Sequence, residues 1–227
     1  MRSYSSVLGH ILGSNPEIDG YSELQLSYRT EIDLIRASLR VYETNGNRLQ
    51  GRYVFDKVLH GHLAVGDIVL KRPKARALFV LRDPEATIKS TVAMARRNAN
   101  PGWKGDAAKV GAYYARRAGQ LVDLAERMSG PTCVFEAEAL MERPDEVLAG
   151  LTSFLELKQP LRSDYERFSH TGKARFGDPG KHIGAGTLVT EREPHDDIDV
   201  DPSMIAELEE ARAAALRGLR RACDTAL

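Results

Sequence analysis

Cysteine is scarce. Cys133 and Cys223 are the only two in 227 residues, too few for a disulfide framework or a multi-cysteine zinc site. Neither sign of charge is in excess, with 32 basic against 32 acidic residues. A general nucleic-acid or membrane-surface binder normally carries a basic surplus. No apolar run approaches the ~20 residues that span a bilayer, and residues 1–20 lack a signal-peptide core. The phosphate-loop pattern GxxxxGK[ST] is missing throughout. What is present is ordinary for a folded chain: 42% hydrophobic and 28% charged residues, which argues against global disorder. These absences predict a soluble cytoplasmic protein with one domain over 1–227, no nucleic-acid partner and no stable membrane insertion.

The pattern along the chain predicts alternating helices and short strands. A serine cluster feeds an apolar helix at Val7–Leu12, ended by Asn15-Pro16-Glu17. Tyr28, Ile32, Ile35, Leu39 and Tyr42 recur at helical spacing, predicting one long helix from Ser22 with a single buried stripe. Tyr53-Val54-Phe55 reads as a short buried strand. Ala77–Leu81 is an unbroken apolar run, the signature of a parallel strand covered on both faces. Asp83-Pro84 then supplies an N-cap and a first-turn proline for a helix through Ile88, Val92 and Ala95. A further helix follows the Pro101-Gly102 break, with Val110, Tyr114, Ala118, Leu121 and Ala125 on one face. Thr132–Phe135 reads as a strand, 145–157 as a helix, and 202–227 as a C-terminal helix carrying Met204, Leu208, Ala211, Ala215 and Leu219. Five glycines between 170 and 186 stand beside Lys173, Arg175, Lys181 and His182, predicting a mobile functional loop over 170–190. The fold class expected is α/β, a three-layer, P-loop-NTPase-like parallel sheet flanked by helices.

Two places are suited to phosphate. Arg2-Ser3-Tyr4-Ser5-Ser6 runs into a helix, where free backbone N–H groups, hydroxyls and a guanidinium make an anion site. A frayed or capping serine run is the competing reading. Arg82 closes the apolar strand at its C-terminal edge, and Ser90 lies two turns into the next helix, where open α/β sheets bind ligands. Taken singly, either is equally an ordinary solvated residue.

Together these segments resemble the sulfotransferases that use 3'-phosphoadenosine 5'-phosphosulfate, particularly bacterial relatives of the Golgi type. Residues 2–6 match the family's R-S-G-[ST]-[ST] loop, with Arg2, Ser3, Ser5 and Ser6 in place. Residues 82–90, from Arg82 to Ser90, match R-[DN]-P-x5-S in full. Phe135-Glu136-Ala137-Glu138-Ala139-Leu140, Pro144 and Phe154-Leu155-Glu156-Leu157 are similar to its Y-E-D-L…P…FLGL stretch, and Gly172 to Lys181 resembles the loop that closes over the nucleotide. The resemblance implies in-line transfer of a sulfuryl group from the phosphosulfate, as co-substrate, to a hydroxyl or amine of a small or lipid-like acceptor, without a metal. It implies that Arg2, Ser3, Ser5 and Ser6 hold the 5'-phosphosulfate and Arg82 and Ser90 the 3'-phosphate. Phe135 would stand by the adenine, and Lys173, Arg175 and Lys181 would reach the nucleotide from the loop.

Glu23 lies 21 residues beyond the loop arginine, where tyrosylprotein-type members place a catalytic glutamate, and is the expected base. The alternative is a first-turn glutamate favoured by the helix dipole. Lys57, in the family's D-K dipeptide, is expected to neutralise the bridging oxygen or the sulfuryl group. His60 and His62 are rival bases. Tyr4 and Glu156 replace family glycines, Phe135 replaces a tyrosine, and the strand expected before Arg2 is missing. Hence two further readings: a catalytically degenerate nucleotide-binding or scaffold relative, and a small-molecule P-loop kinase, the latter disfavoured by the absent phosphate-loop lysine. The missing strand predicts either an upstream start or a degenerate chain.

Overall fold

A computed structural model describes residues 3–97, 102–173, 181–191 and 195–227. Arg2 and Arg175 lie outside the described residues. In chain order the elements are α1 (Ser5–Gly13), β1 (Ile18–Asp19), α2 (Glu31–Thr44), β2 (Tyr53–Val54), α3 (Asp67–Leu70), β3 (Ala77–Leu81), α4 (Pro84–Arg96), α5 (Ala107–Arg127), β4 (Thr132–Glu136), α6 (Ala139–Glu142), α7 (Pro144–Phe154), α8 (Pro202–Ala222) and β5 (Thr225–Ala226). The fold is mixed α/β, with two small sheets, β1–β2 and β3–β4–β5, both parallel. Among the described residues no helix is long and apolar enough to cross a membrane.

The chain divides into two compact units. The β3 unit comprises Pro73–Glu138 and Glu191–Leu227, with Ser3. Here the local signals are obeyed. Asp83 accepts Ala86 N–H at 2.7 Å and Pro84 opens α4, and the apolar faces of α4, α5 and α8 converge on Leu81, Ile88, Val92, Val110, Tyr114 and Leu208. Each such side chain, fully buried, contributes about 1.5–3 kcal/mol. β3 and β4 pair in register from Ala77 with Thr132 to Leu81 with Glu136. After α8 the chain continues into β5, a strand that helical periodicity does not foretell. Asp224 accepts from both the amide and the hydroxyl of Thr132, at 2.8 and 2.9 Å, and fixes β5 beside β4.

The α1 unit comprises Tyr4–Arg72 and Ala139–Thr190. α1 carries Gly9 and Gly13 on one face, and the chain at Gly20 and Tyr21 crosses there. A Cβ on Gly13 would lie 2.6 Å from the Gly20 carbonyl oxygen, so only glycine admits the crossing. Three expectations are corrected. The long helix does not start at Ser22: residues 22–30 precede α2, which begins at Glu31. Asp33 reaches back to accept Thr30 N–H at 2.9 Å, while Tyr28 N–H is taken by the Ala64 carbonyl at 2.7 Å. A capping interaction beginning at Thr30 and a bond to a distant chain segment override the spacing. The stripe Ile32, Ile35, Leu39, Tyr42 is not buried but exposed; α2 turns its other face, Leu34, Ala37 and Val41, to Leu24, Leu26 and Tyr28. Finally, β2 is not a buried strand, because Val54 is exposed.

Candidate functional site

In the α1 unit the chain leads directly from Tyr4 into α1. Its first turn, Ser5-Ser6-Val7-Leu8, bears no carboxylate, so no side-chain negative charge within the turn opposes the positive end of the helix dipole. Tyr4 sits at the N-cap with φ 54°, in the left-handed region. Glu156, the other residue standing where the resembling family has glycine, has φ 52°. Both positions thus hold the backbone conformation that glycine adopts without strain.

Lys57 is buried, its stem against α1 at Gly9. The preceding Asp56 is a hub. Its Oδ1 accepts Leu24 N–H at 2.8 Å and Lys57 N–H at 2.7 Å, and its Oδ2 accepts the Tyr28 hydroxyl at 2.5 Å. Burial pushes the Asp56 carboxyl above its ordinary range, opposed by these hydrogen bonds. Burial, and then the Asp56 carboxylate, push the Tyr28 phenol well up. Arg40 from α2 donates to the Leu24 carbonyl. Leu24 is therefore fixed on both its amide and its carbonyl, and Glu23 beside it is fixed in turn.

Glu23 is not in a first helical turn, which removes the helix-dipole reading. Its carboxylate receives Gln25 Nε2 at 2.8 Å and lies 3.9 Å from His60 Nε2. His60 stacks on His62 with ring centroids 5.3 Å apart. The two expected bases, Glu23 and His60, are thus neighbours rather than rivals, an acid–imidazole pair suited to taking and relaying a proton.

The glycine-rich segment is anchored to α1 by residues that the sequence reading did not single out. Tyr21 and Phe168 stack at 4.0 Å, and His170 N–H donates to the Tyr21 hydroxyl at 3.2 Å. His10 spans the two segments, with Nδ1 2.9 Å from the Ser6 carbonyl and Nε2 2.9 Å from Thr171 Oγ1. A carbonyl only accepts, so Nδ1 carries the proton and Nε2 of the neutral ring accepts from Thr171. Burial lowers the His10 pKa, the Ser6 bond opposes this, and the Lys57 charge adds to the lowering. Lys173 is exposed two residues on, and Lys181 opens a 3-10 turn, Lys181–Ala185.

In the β3 unit Arg82 follows β3. Its carbonyl accepts the Tyr114 hydroxyl at 2.6 Å, and its Nε lies 3.9 Å from Glu138, which also accepts Asp83 N–H at 3.1 Å. Ser90 on α4 and Ser3 are buried. Phe135 is fully buried in β4, leaving no open ring face for a base. Arg212 of α8 is a residue the sequence reading missed. It donates to Glu136 at 2.5 Å and lies 3.8 Å from Glu138 and 3.4 Å from Glu209. Glu138 thereby stands between Arg82 and Arg212. Only the tertiary fold reveals this role, since in sequence Arg212 is one more arginine on a polar helix face.

Comparison with protein-family models, curated proteins and solved structures found no match to the chain.

Proposed function

We propose that the protein is a sulfotransferase. It moves a sulfuryl group from 3'-phosphoadenosine 5'-phosphosulfate to the hydroxyl or amine of a small or lipid-like acceptor, in the cytoplasm, on a three-layer P-loop-like fold. The observation that carries this reading is conformational. Of the four described non-glycine residues with positive φ, Tyr4 and Glu156 occupy the two positions where the resembling family has glycine. A left-handed backbone at both positions is what loops built for glycine call for, and it supports the reading although the residue type has changed.

The roles follow from the chemistry of each group. The α1 amides with Ser5 and Ser6 bind the 5'-phosphosulfate, and Arg2 and Ser3 join them from the preceding residues. Lys57 offsets charge growing on the leaving phosphate oxygen. Glu23 accepts the proton of the attacking acceptor hydroxyl, with His60 placed to relay it. As the acceptor oxygen bonds to sulfur, the bond from sulfur to the phosphate oxygen breaks and adenosine 3',5'-bisphosphate leaves, a pathway governed by positioning and charge stabilisation. Arg82 and Ser90 bind the 3'-phosphate, and Lys173, Arg175 and Lys181 approach the nucleotide from the loop.

Thermal unfolding with adenosine 3',5'-bisphosphate tests the reading. Nucleotide raises the melting temperature of the wild type, and neither Arg82→Ala nor Arg82→Lys shows the shift. No shift at about millimolar nucleotide refutes it, because binding to the folded state alone must stabilise. A second reading, a nucleotide-binding relative without catalysis, is favoured by the Tyr4 side chain in a phosphate loop. It requires binding without sulfate transfer, whereas transfer that disappears in Glu23→Gln excludes it.

A further inference from the structure

The outer face of α2 calls for a partner that the nucleotide site does not explain. Ile32, Ile35, Leu39 and Tyr42 are 58%, 59%, 56% and 42% exposed. They form one line along the helix, while Ala37 and Val41 on the opposite face are buried. Together the four leave about 450 Å² of side-chain surface in water, comparable to the largest patch expected on a typical monomer.

We propose that this face is the contact surface of a symmetric homodimer, in which α2 of two copies pack antiparallel. The spacing carries the choice of a second copy. The intervals run three, four, three, so the line reads the same in both directions about residue 37. An antiparallel two-fold axis there sets Ile32 of one copy against Tyr42 of the second copy, and Ile35 against Leu39. Self-complementarity of this kind is what an isologous interface requires, and three-four alternation is also the seam spacing of packed helices.

Charge agrees. Two residues bordering the line are paired within the copy: Arg36 with Asp33 at 3.1 Å, and Glu31 with Arg72 at 2.9 Å. Two of the charges beside the line, at Arg36 and Glu31, are thus already paired before a second copy arrives. An anionic lipid surface is poorly matched, because α2 carries three carboxylates, Glu31, Asp33 and Glu43, against two arginines, Arg36 and Arg40. The four apolar residues from two copies supply about 900 Å², and the stems of Glu31, Arg36, Ser38 and Glu43 bring the contact to the lower end of specific interfaces, near 1,200 Å². That size corresponds to a reversible dimer.

Sedimentation equilibrium on the full chain, from about 5 to about 500 µM, tests the proposal. The wild type shows a reversible monomer–dimer equilibrium. Ile35→Glu and Leu39→Glu each weaken it by about 100-fold or more, since each places two unpaired carboxylates in the contact. Both sites are exposed, so circular dichroism and melting temperature stay those of the wild-type monomer. A wild type monomeric at the highest concentration overturns the proposal, as does association unchanged by either substitution. A monomeric wild type that floats with phosphatidylcholine vesicles assigns the face to lipid and also overturns it. Oxidising a mixture of Ile35→Cys and Leu39→Cys proteins favours the mixed cross-link. Cross-linking of each variant only to itself refutes the antiparallel register.

Discussion

Replacing Asp56 by alanine removes one acceptor from three donors: Leu24 N–H at 2.8 Å, Lys57 N–H at 2.7 Å and the Tyr28 hydroxyl at 2.5 Å. Hydrogen bonds to a charged group contribute about 1.5–3 kcal/mol each, so a simple sum is roughly 5–9 kcal/mol. That sum overstates the loss. Burial already penalises the charge, as the raised carboxyl pKa records, and removing the carboxylate recovers this part. We expect Asp56→Ala to cost about 3–4 kcal/mol, in the upper range for single substitutions. Asparagine behaves differently. Its amide oxygen can still accept from both backbone N–H groups, and its NH₂ can donate to the Tyr28 oxygen, so Asp56→Asn costs about 1 kcal/mol. Urea unfolding followed by far-UV circular dichroism measures both. Trp103, the single tryptophan, belongs to the β3 unit and its fluorescence does not report on this site. Alanine within about 1 kcal/mol of wild type refutes the hub. Asparagine as damaging as alanine shows that the charge, not the acceptor, is what the site requires.

Tyr4→Gly relieves a left-handed residue, a gain of about 1–2 kcal/mol, against an unfolded-state entropy cost of about 0.5–1 kcal/mol. The urea midpoint should rise slightly, and a loss above about 1 kcal/mol shows that the tyrosine ring makes contacts that outweigh the strain. His10 gives a pH signature. Its folded pKa lies below the ordinary 6.5, so on acidification the unfolded chain takes up the proton first. Stability is retained above about pH 6.5 and declines as pH falls from there to the folded pKa, with a slope that cannot exceed about 1.4 kcal/mol per pH unit. His10→Gln flattens this slope in unfolding titrations between about pH 7.5 and 5, and an unchanged slope assigns it to other histidines.

The β3 unit was legible because its signals are local. Ala77–Leu81 is continuous apolar sequence, and the cap at Asp83 and the proline at Pro84 adjoin it. The α1 unit was less so. Tyr28 falls by chance on the helical spacing of α2, yet its amide bonds to Ala64, a contact that no window over residues 22–44 contains. α2 holds two apolar lines, Leu34-Ala37-Val41 and Ile32-Ile35-Leu39-Tyr42, and periodicity does not say which one faces the core. β1 is two residues long, below any repeat. Of the candidate site residues, Glu23, Lys57, Ser5 and Ser6 were singled out from motif positions. His10 was not, because its partner Thr171 lies 161 residues away, and Asp56 reads only as half of a dipeptide until its three donors are in place.

The division of the chain also sets an order of assembly. Each unit is discontinuous: the segment Ala139–Thr190 completes the α1 unit, and Glu191–Leu227 completes the β3 unit. During synthesis the α1 unit has all its parts once Thr190 has emerged, whereas β3 and β4 must wait for α8 and for the amide of Leu227, which donates to the Val134 carbonyl at 3.0 Å. Until then the apolar faces of α4 and α5 lack their principal cover, and β4 has an unpaired edge. Pairing residues this distant in sequence is slow, and exposed edges and faces are what chaperones bind. The β3 unit is therefore the part of this protein most exposed to misfolding on the ribosome, and substitutions in α8 should lower yield in the cell more than they lower equilibrium stability.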